Sequence, residues 1–335
     1  MAKVTIDTGK CLEIAEHIRN TGGVPEDRED PMPYVFRREI AHNGWWAVCS
    51  INQQTTPIRG KQLSGTVRNV KLFGWDYLLQ RAIILSIGDP YMFTREWLRS
   101  VTANLLRSMY RDSENGDTLN QVEVRAELLC DLGEFLQRRG WESVHEAYKE
   151  SRGYIVRSDG GGLAQVLSGA RAYQDPVQKK LFYFLAIMRN QGLWKYKDIL
   201  NLSSPVNYHE QRGHFRLGTI QILDPALERK VRNRRNITDQ EDIEIRFAVR
   251  RAIEFIAQLL DITPSMMHYY FWNFFRNCCR RDDPHCESCG NSCGLPERYS
   301  VNAHGQCIFA PVCASAKFAF RDMLIEPRID KTIWQ

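Results

Sequence analysis

Apolar residues recur at helical intervals over most of the chain. Five segments show this spacing most clearly: 75–87, 93–111, 124–140, 178–191 and 242–260. Apolar residues at i, i+3, i+4 and i+7 form one stripe, so each segment is predicted to be a helix with that face in the core. Strand-like alternation is scarce, and Gly, Pro, Asn and Ser mark turns between the helices. The pattern therefore predicts a mostly α fold.

Composition restricts the class of protein. The chain has 335 residues, of which 43% are hydrophobic and 25% charged, as in ordinary globular proteins. Its first ten residues, MAKVTIDTGK, lack the apolar stretch of a signal peptide, and no apolar run reaches the roughly 18–20 residues of a membrane span. We therefore expect a cytoplasmic monomer without a membrane partner. The net charge of +5 permits a nucleic-acid partner but does not demand one.

Cysteine is unevenly distributed. Cys11, Cys49 and Cys130 are scattered and are predicted to be small buried hydrophobes. The other seven lie within residues 278–313: Cys278, Cys279, Cys286, Cys289, Cys293, Cys307 and Cys313. Because cytosolic chains rarely keep disulfides, this cluster predicts a metal or iron–sulfur site. Spacing alone does not separate zinc from iron–sulfur, since four thiolates hold either one.

The cysteine spacing resembles the C-terminal cluster loop of the endonuclease III and MutY DNA glycosylases. These helix-hairpin-helix proteins hold a [4Fe–4S] cluster with the pattern C-x6-C-x2-C-x5-C, and Cys279, Cys286 and Cys289 match its first three positions. The resemblance implies a [4Fe–4S] cofactor, with zinc as the alternative.

The fourth ligand departs from that pattern, because its position is occupied by Leu295. Either Cys293 serves after a shortened loop, or residues 290–306 are an insertion and Cys313 closes the site. The segment CIFAPVCASA favours Cys313, and Cys307 is then an alternative third ligand.

Two further segments resemble parts of these glycosylases. SINQQTTP, residues 50–57, resembles the entry to the six-helix barrel, where a glutamine fills the space left by an extruded base. The resemblance implies Gln54 as this wedge, with Gln53 beside it. GARAYQDPVQKKLF is similar to the divergent hairpin of archaeal 8-oxoguanine glycosylases, which implies Lys179, or its neighbour Lys180, as a Schiff-base lysine. A solvated lysine pair at a helix start is the competing interpretation.

PVNYHEQRGHFRLG, residues 205–218, resembles the entry to the catalytic helix of the family, which typically reads Pro-Val-Asp. Asn207 stands where the resemblance implies a catalytic aspartate. The basic residues that follow are expected to contact DNA phosphates, which position a duplex without reading its sequence. They are Arg212 and Arg216 in this segment, and Arg232, Arg234 and Arg235 in RKVRNRR.

An asparagine changes the chemistry of that position. A carboxylate stabilises the cationic sugar that forms when a glycosidic bond breaks, whereas an amide is neutral and is not a base. The chain is therefore an inactive Asp→Asn form, a protein that uses another carboxylate such as Glu210 or Asp175, or a protein turned to binding or group transfer.

The resemblance implies a two-lobed helix-hairpin-helix DNA glycosylase fold with a C-terminal cysteine-rich cluster loop. Its lobes are expected at 44–165 for the six-helix barrel, at 1–43 with 166–276 for the hairpin and catalytic helix, and at 277–335 for a tail packing on the second lobe. The expected partner is double-stranded DNA with an extruded base. Aromatic residues that stack on such a base are sought among Trp45, Trp46, Trp194 and Tyr208.

The implied function is excision of a damaged or modified base, in repair or in anti-phage defence. The sequence also resembles a divergent branch of glycosylase-like proteins associated with hypermodified phage DNA, which points to a bulky modified base. The alternatives are a DNA base-modifying transferase on the same fold and a non-enzymatic, zinc-containing DNA-binding protein.

Overall fold

The computed structural model describes residues 3–25, 35–57, 60–288, 294–296, 299, 305–316, 318–319, 322–330 and 332–334. The helices in this part of the chain are α1 Thr8–Asn20, α2 Ala41–Ser50, α3 Gly74–Gly88, α4 Arg95–Arg99, α5 Ala103–Tyr110, α6 Val122–Arg139, α7 His145–Glu150, α8 Leu163–Leu167, α9 Lys179–Asn190, α10 Tyr208–Leu217, α11 Pro225–Arg232, α12 Asp239–Leu259 and α13 Pro264–Asn277. The strands are β1 Val4–Ile6, β2 Ser64–Val67, β3 Val70–Phe73 and β4 Ile220–Ile222.

Helices predominate among the described residues, which confirms the prediction of a mostly α fold. Four of the five predicted helices correspond to α3, α6, α9 and α12. The fifth segment, 93–111, is divided into α4 and α5, because the Thr102 hydroxyl accepts from the Leu105 N–H at 3.1 Å and starts a new helix. Among the described helices, none combines the length and the apolar character needed to cross a bilayer.

Internal contacts divide the chain into two units. Unit 1 contains Met1–Arg28 and Leu202–Asp330, and unit 2 contains Glu29–Asn201 and Lys331–Gln335. The predicted lobes divided the chain at 165/166 instead. Residues between there and 201 lie with unit 2, because α9 packs against α2 and the Tyr173 hydroxyl donates to the Trp46 carbonyl at 2.6 Å.

Unit 1 is built around α12 and α13. Residue 238 begins α12 with a capping box, in which the Thr238 hydroxyl and the Glu241 carboxylate each bind the other residue's backbone N–H. The antiparallel pair β1–β4, with Ile6 opposite Ile220, closes the unit near the N-terminus. Apolar side chains of α1, α12 and α13 form the buried core: Cys11, Ile14, Ile18, Ile245, Val249, Ile253, Ile256, Met267, Tyr270, Phe271, Phe274 and Phe275.

Helix α10 packs against α13 in unit 1, and a glycine sets their separation. A Cβ atom at Gly213 would lie 2.2 Å from ring atoms of Phe275, far inside van der Waals contact. This close approach brings the C-terminal end of α13, where the cysteine-rich segment begins, against α10.

Unit 2 has a separate core of α2, α3, α6 and α9. Trp45 and Trp46 of α2 are fully buried in it, and so is Trp194. The hairpin β2–β3 pairs Ser64 with Phe73 and turns through Arg68 and Asn69, both with positive φ.

We expect Gly213→Ala to destabilise unit 1 by about 1–3 kcal/mol, because overpacking forces the two helices apart. Gly9→Ala, an exposed change in α1 where the new Cβ meets only Asp7 Oδ1 at 3.5 Å, is the matched control. Urea unfolding of the two variants measures the difference. Equal midpoints would show that α10 and α13 move apart without cost.

Candidate functional site

A cavity in unit 1 is lined by cysteines. Its walls include five thiols: Cys278, Cys279, Cys286, Cys307 and Cys313. The remaining wall comes mainly from α10 and from the aromatic end of α13: Gly213, Arg216, Leu217, Phe274, Phe275, Phe309, Ala310 and Met323. Cys289 and Cys293 lie outside the described residues. Among the residues that are described, no three His, Cys, Asp or Glu side chains already converge as a metal-binding group.

Arg216 ties the cysteine-rich segment to α10. Its Nη1 donates to Cys279 Sγ at 3.3 Å, and its carbonyl accepts from the Cys313 thiol at 3.1 Å and from the Ser315 N–H at 3.0 Å. The same Nη1 donates to the Arg280 carbonyl at 2.7 Å, while Nε and Nη2 donate to the carbonyls of Leu324 and Arg281 at 2.8 and 3.1 Å. The side chain is buried, and its described partners are carbonyl oxygens and a thiol, none of them a carboxylate.

Burial controls the protonation of the thiols. It raises the pKa of Cys313 to about 11, although the N–H groups of Ser315 and Ala316 act in the opposite direction. Burial likewise raises the pKa of Cys307 well above its ordinary value, against the N–H of Phe309. These thiols therefore stay protonated near neutral pH unless a cation binds, since a metal ion is what deprotonates a coordinating thiol.

Arg212 is also directed inward. Its guanidinium donates to Glu326 Oε2 at 2.8 Å, to the Cys279 carbonyl at 2.7 Å and to the Phe275 carbonyl at 3.1 Å. Arg212 and Arg216 were predicted to bind DNA phosphates, and the structure corrects this prediction. Both are buried and fully engaged within unit 1, so their role here is to hold the cysteine-rich segment on α10.

Asn207 is the N-cap of α10. Its Oδ1 accepts from the His209 N–H at 2.8 Å, and the Glu210 carboxylate accepts from the Asn207 N–H at 3.0 Å, which completes a capping box. Glu210 is fully buried and its other oxygen binds His268 Nδ1. Glu210 is thus committed to the fold and does not stand free as a substitute for the missing aspartate.

His209 and Tyr208 are half-buried beside Asn207, with ring centroids 4.2 Å apart. Loss of solvent, together with the positive charges of Arg212 and two further arginines, holds the pKa of His209 well below its ordinary value. Its Nδ1 lies 2.9 Å from Arg212 Nη2, which is only a donor, so Nδ1 accepts and the proton of the neutral ring is on Nε2. The start of α10 therefore offers a neutral amide, a phenol and a neutral imidazole.

Lys179 and Lys180 lie in unit 2 at the start of α9, and both are buried. Lys180 Nζ donates to the Ser50 carbonyl and, at 2.9 Å, to Gln53 Oε1. Burial, together with the neighbouring charges of Lys179 and Arg125, holds the pKa of Lys180 well below its ordinary value. The predicted solvated pair is therefore wrong, and the predicted Schiff-base role stays a prediction.

Further polar contacts anchor the same region of unit 2. Lys179 Nζ donates to Asn52 Oδ1 at 3.0 Å. The Asp175 carboxylate accepts from the Val177 N–H at 3.1 Å and from the Lys179 N–H at 3.0 Å. Asp175, the second carboxylate considered as a substitute for an aspartate at 207, therefore has a structural role in the turn that leads into α9.

The predicted wedge residues differ in exposure. Gln53 is fully buried, whereas Gln54 is half-buried with a left-handed backbone, φ 45°. The Gln54 carbonyl accepts from Asn120 Nδ2 at 2.9 Å, and its side chain accepts from Gln121. Of the two, Gln54 is the residue with partial access to solvent.

The remaining predicted DNA contacts are three arginines, which lie at the surface, and four aromatic residues, most of which lie in the core. Arg232, Arg234 and Arg235 are exposed, and Arg232 pairs with Glu228 at 2.8 Å. They stay predicted phosphate contacts. Trp45, Trp46 and Trp194 are core residues, which leaves only Tyr208 of the four aromatic candidates partly accessible.

No family model matches the chain, and no curated protein matches it.

Glu326 should make unit 1 sensitive to acid. Burial would raise its pKa, but the charges of Arg212 and Arg281 outweigh burial and lower it from 4.5. A depressed folded pKa stabilises the fold above the unfolded pKa, and this stability is lost as the pH falls through the folded value. We expect Glu326→Gln to cost about 3–5 kcal/mol at neutral pH and to flatten the loss below pH 4.5. Urea unfolding from neutral to acid pH measures both, with exposed Glu13→Gln as control.

Cys307 provides a test of metal binding. We expect the anaerobically purified chain to carry either about four irons with visible absorption or about one zinc, and Cys307→Ser to lose most of it. Cys130→Ser, in α6 of unit 2, should keep the metal. Elemental analysis and absorption spectra measure the content. Unchanged metal in Cys307→Ser would assign its place to Cys289 or Cys293.

Proposed function

We propose that the protein is a DNA N-glycosylase scaffold that extrudes a modified base from duplex DNA and carries a cysteine-ligated [4Fe–4S] cluster. One observation carries the proposal: a single helix, α10, is capped at its N-terminus by Asn207 and carries in its last turn Arg216, which donates to Cys279 Sγ in the wall of the cysteine-lined cavity. The candidate for sugar chemistry and the candidate metal site are therefore at opposite ends of one rigid element.

The cavity residues fit a thiolate-bound cluster in their chemistry. Cys279, Cys286, Cys307 and Cys313 are the described thiols that we propose as ligands, with Cys289 as the alternative to Cys307. Soft thiolates select iron–sulfur clusters or zinc. A cluster with four thiolates is a net anion, and Arg216, a buried cation without a described carboxylate partner, is positioned beside it. When bound, the cluster would fix the cysteine-rich segment on α10.

Base excision requires the target nucleotide to leave the stack before the glycosidic bond can be reached. Within unit 1, residue 207 is proposed to meet the sugar, and exposed Arg232, Arg234 and Arg235 to contact phosphates. Within unit 2, Gln54 is the residue proposed to enter a duplex. Asn207 holds its place through the capping box but supplies only a dipole to the developing positive charge. Extrusion is therefore expected of the chain as it stands, and hydrolysis is expected to be impaired.

A second candidate, a DNA base-modifying transferase, is favoured by the same neutral position. The two other carboxylates considered, Glu210 and Asp175, are occupied by helix capping and by His268. A protein that transfers a group to an activated base has no need to activate water with a carboxylate. The transferred group comes from a co-substrate that must be supplied in the assay, and the product is a heavier DNA strand and not an abasic site.

Asn207→Asp tests the two candidates. We expect it to raise base release by about 10²–10³-fold on the correct DNA, because a charge replaces a dipole next to the developing sugar cation. The panel contains unmodified, 8-oxoguanine, uracil and glucosylated hydroxymethylcytosine duplexes, each assayed for free base, abasic sites and strand mass. Stability should change little, since aspartate and asparagine are comparable N-caps.

The matched control is Asn104→Asp, an exposed change in α5. Release of base by Asn207→Asp alone supports the glycosylase. A mass gain in DNA without abasic sites supports the transferase. Absence of both products with every duplex would contradict the assignment of residue 207 to the reacting sugar.

A further inference from the structure

Arg125 of α6 is a buried cation with an unusual set of partners. Its Nε donates to the Asn120 carbonyl at 2.7 Å, and Nη2 donates to Asn120 Oδ1 at 2.7 Å and to the Gln53 carbonyl at 2.6 Å. Nη1 donates to the Ile51 carbonyl. Every described partner is an uncharged oxygen, and the residue is completely shielded from solvent.

The stability of α6 does not explain this arginine. Arg125 lies in the first turns of the helix, where the positive end of the helix dipole disfavours a cation. Burying a charge without a carboxylate partner is also unfavourable, and burial lowers the pKa of Arg125 to about 9. An apolar residue would serve the core better. The acceptors that Arg125 reaches are the reason that a cation is suited to this place: two lie on Asn120, and two are carbonyls of Ile51 and Gln53, just after α2.

Those acceptors belong to a strained segment. Residues 51–57, called the wedge loop below, contain Gln54 at φ 45°, and the facing turn contains Gln121 at φ 49°. Left-handed backbone in residues other than glycine persists only where the surroundings enforce it. Arg125 binds the wedge loop and Asn120 of the facing turn with one planar group, so it is placed to enforce both conformations.

We propose that Arg125 is the positioning residue of the wedge loop, holding Gln54 in the conformation in which it enters a DNA duplex. This inference rests on the proposed function in that the duplex is the partner. The rigid guanidinium fork is essential, because the single ammonium group of lysine does not reproduce its four directed bonds. Lys180 also binds this region, because its Nζ donates to the carbonyl of Ser50, the residue before the wedge loop, and to Gln53 Oε1.

Two variants of the full chain separate positioning from general destabilisation. Arg125→Lys keeps the positive charge but removes the planar guanidinium group and its four directed hydrogen bonds. Leu132→Ala removes a buried side chain of the same helix that makes none of the hydrogen bonds of the wedge loop. Both are compared with the unaltered protein under conditions in which all three are equally folded.

The first measurement is hydrogen exchange without DNA. We expect Arg125→Lys to speed exchange of amides in 51–57 and 119–122 by at least about tenfold, because hydrogen bonds from a charged donor are lost. Exchange in α9 should keep its rate. Leu132→Ala should leave the wedge loop unchanged relative to the rest of unit 2. Unaltered loop exchange in Arg125→Lys would overturn the inference.

The second measurement is base extrusion, followed by the fluorescence of 2-aminopurine in a duplex. We expect the unaltered protein and Leu132→Ala to increase the fluorescence. At saturating protein, the increase caused by Arg125→Lys should be about tenfold smaller. Equal extrusion by all three proteins would overturn the positioning role. If the unaltered protein extrudes no base, the proposed function fails, and hydrogen exchange decides separately whether Arg125 holds the loop.

Discussion

The burial of a polar helix is the constraint on which unit 1 depends. Residues 210–217 of α10 are all buried, although most of them are polar or charged. Burial of such groups is favourable only when each finds a partner, so neighbouring elements must supply them. His268 of α13 binds Glu210, and Asp242 of α12 accepts from Gln211 at 3.0 Å. Helices α12 and α13 therefore pack beside α10, where they bind its polar side chains.

The same requirement explains how the cysteine-rich segment is held. Rich in Gly, Pro and Asn, this segment has too few apolar residues to form a core of its own. Arg212 and Arg216 provide fixed donors to its carbonyls, so the segment completes the hydrogen bonding of α10 while α10 gives it a surface. The buried charge of Arg212 is balanced by Glu326, but that of Arg216 has only carbonyls and a thiol. A metal–thiolate cluster would supply the missing negative charge at this point, which couples metal binding to the packing of unit 1.

The sequence predicted the helices well because apolar periodicity is local, but it could not predict what the polar residues on them touch. Arg212 reaches Glu326, 114 residues away, and nothing within α10 indicates that distance. Arg125 was missed for a different reason. Leu128, Leu129 and Leu132 follow it at spacings of three, four and seven residues, so Arg125 lies on the apolar stripe of α6. That position could have indicated a buried cation. The strand pair β1–β4 was not predicted, because strands of three residues are too short to show an alternation of apolar and polar residues.

At residue 207, asparagine and aspartate differ in chemistry but are nearly equivalent for the fold. As an N-cap it needs only an oxygen that accepts from the helix, and aspartate provides that oxygen as well as asparagine does. The helix dipole would even favour the negative charge at this end of α10. Nothing in the capping box with Glu210 therefore requires an amide. The fold is therefore indifferent to this choice, or slightly favours the acid, so helix capping does not explain the neutral side chain of Asn207.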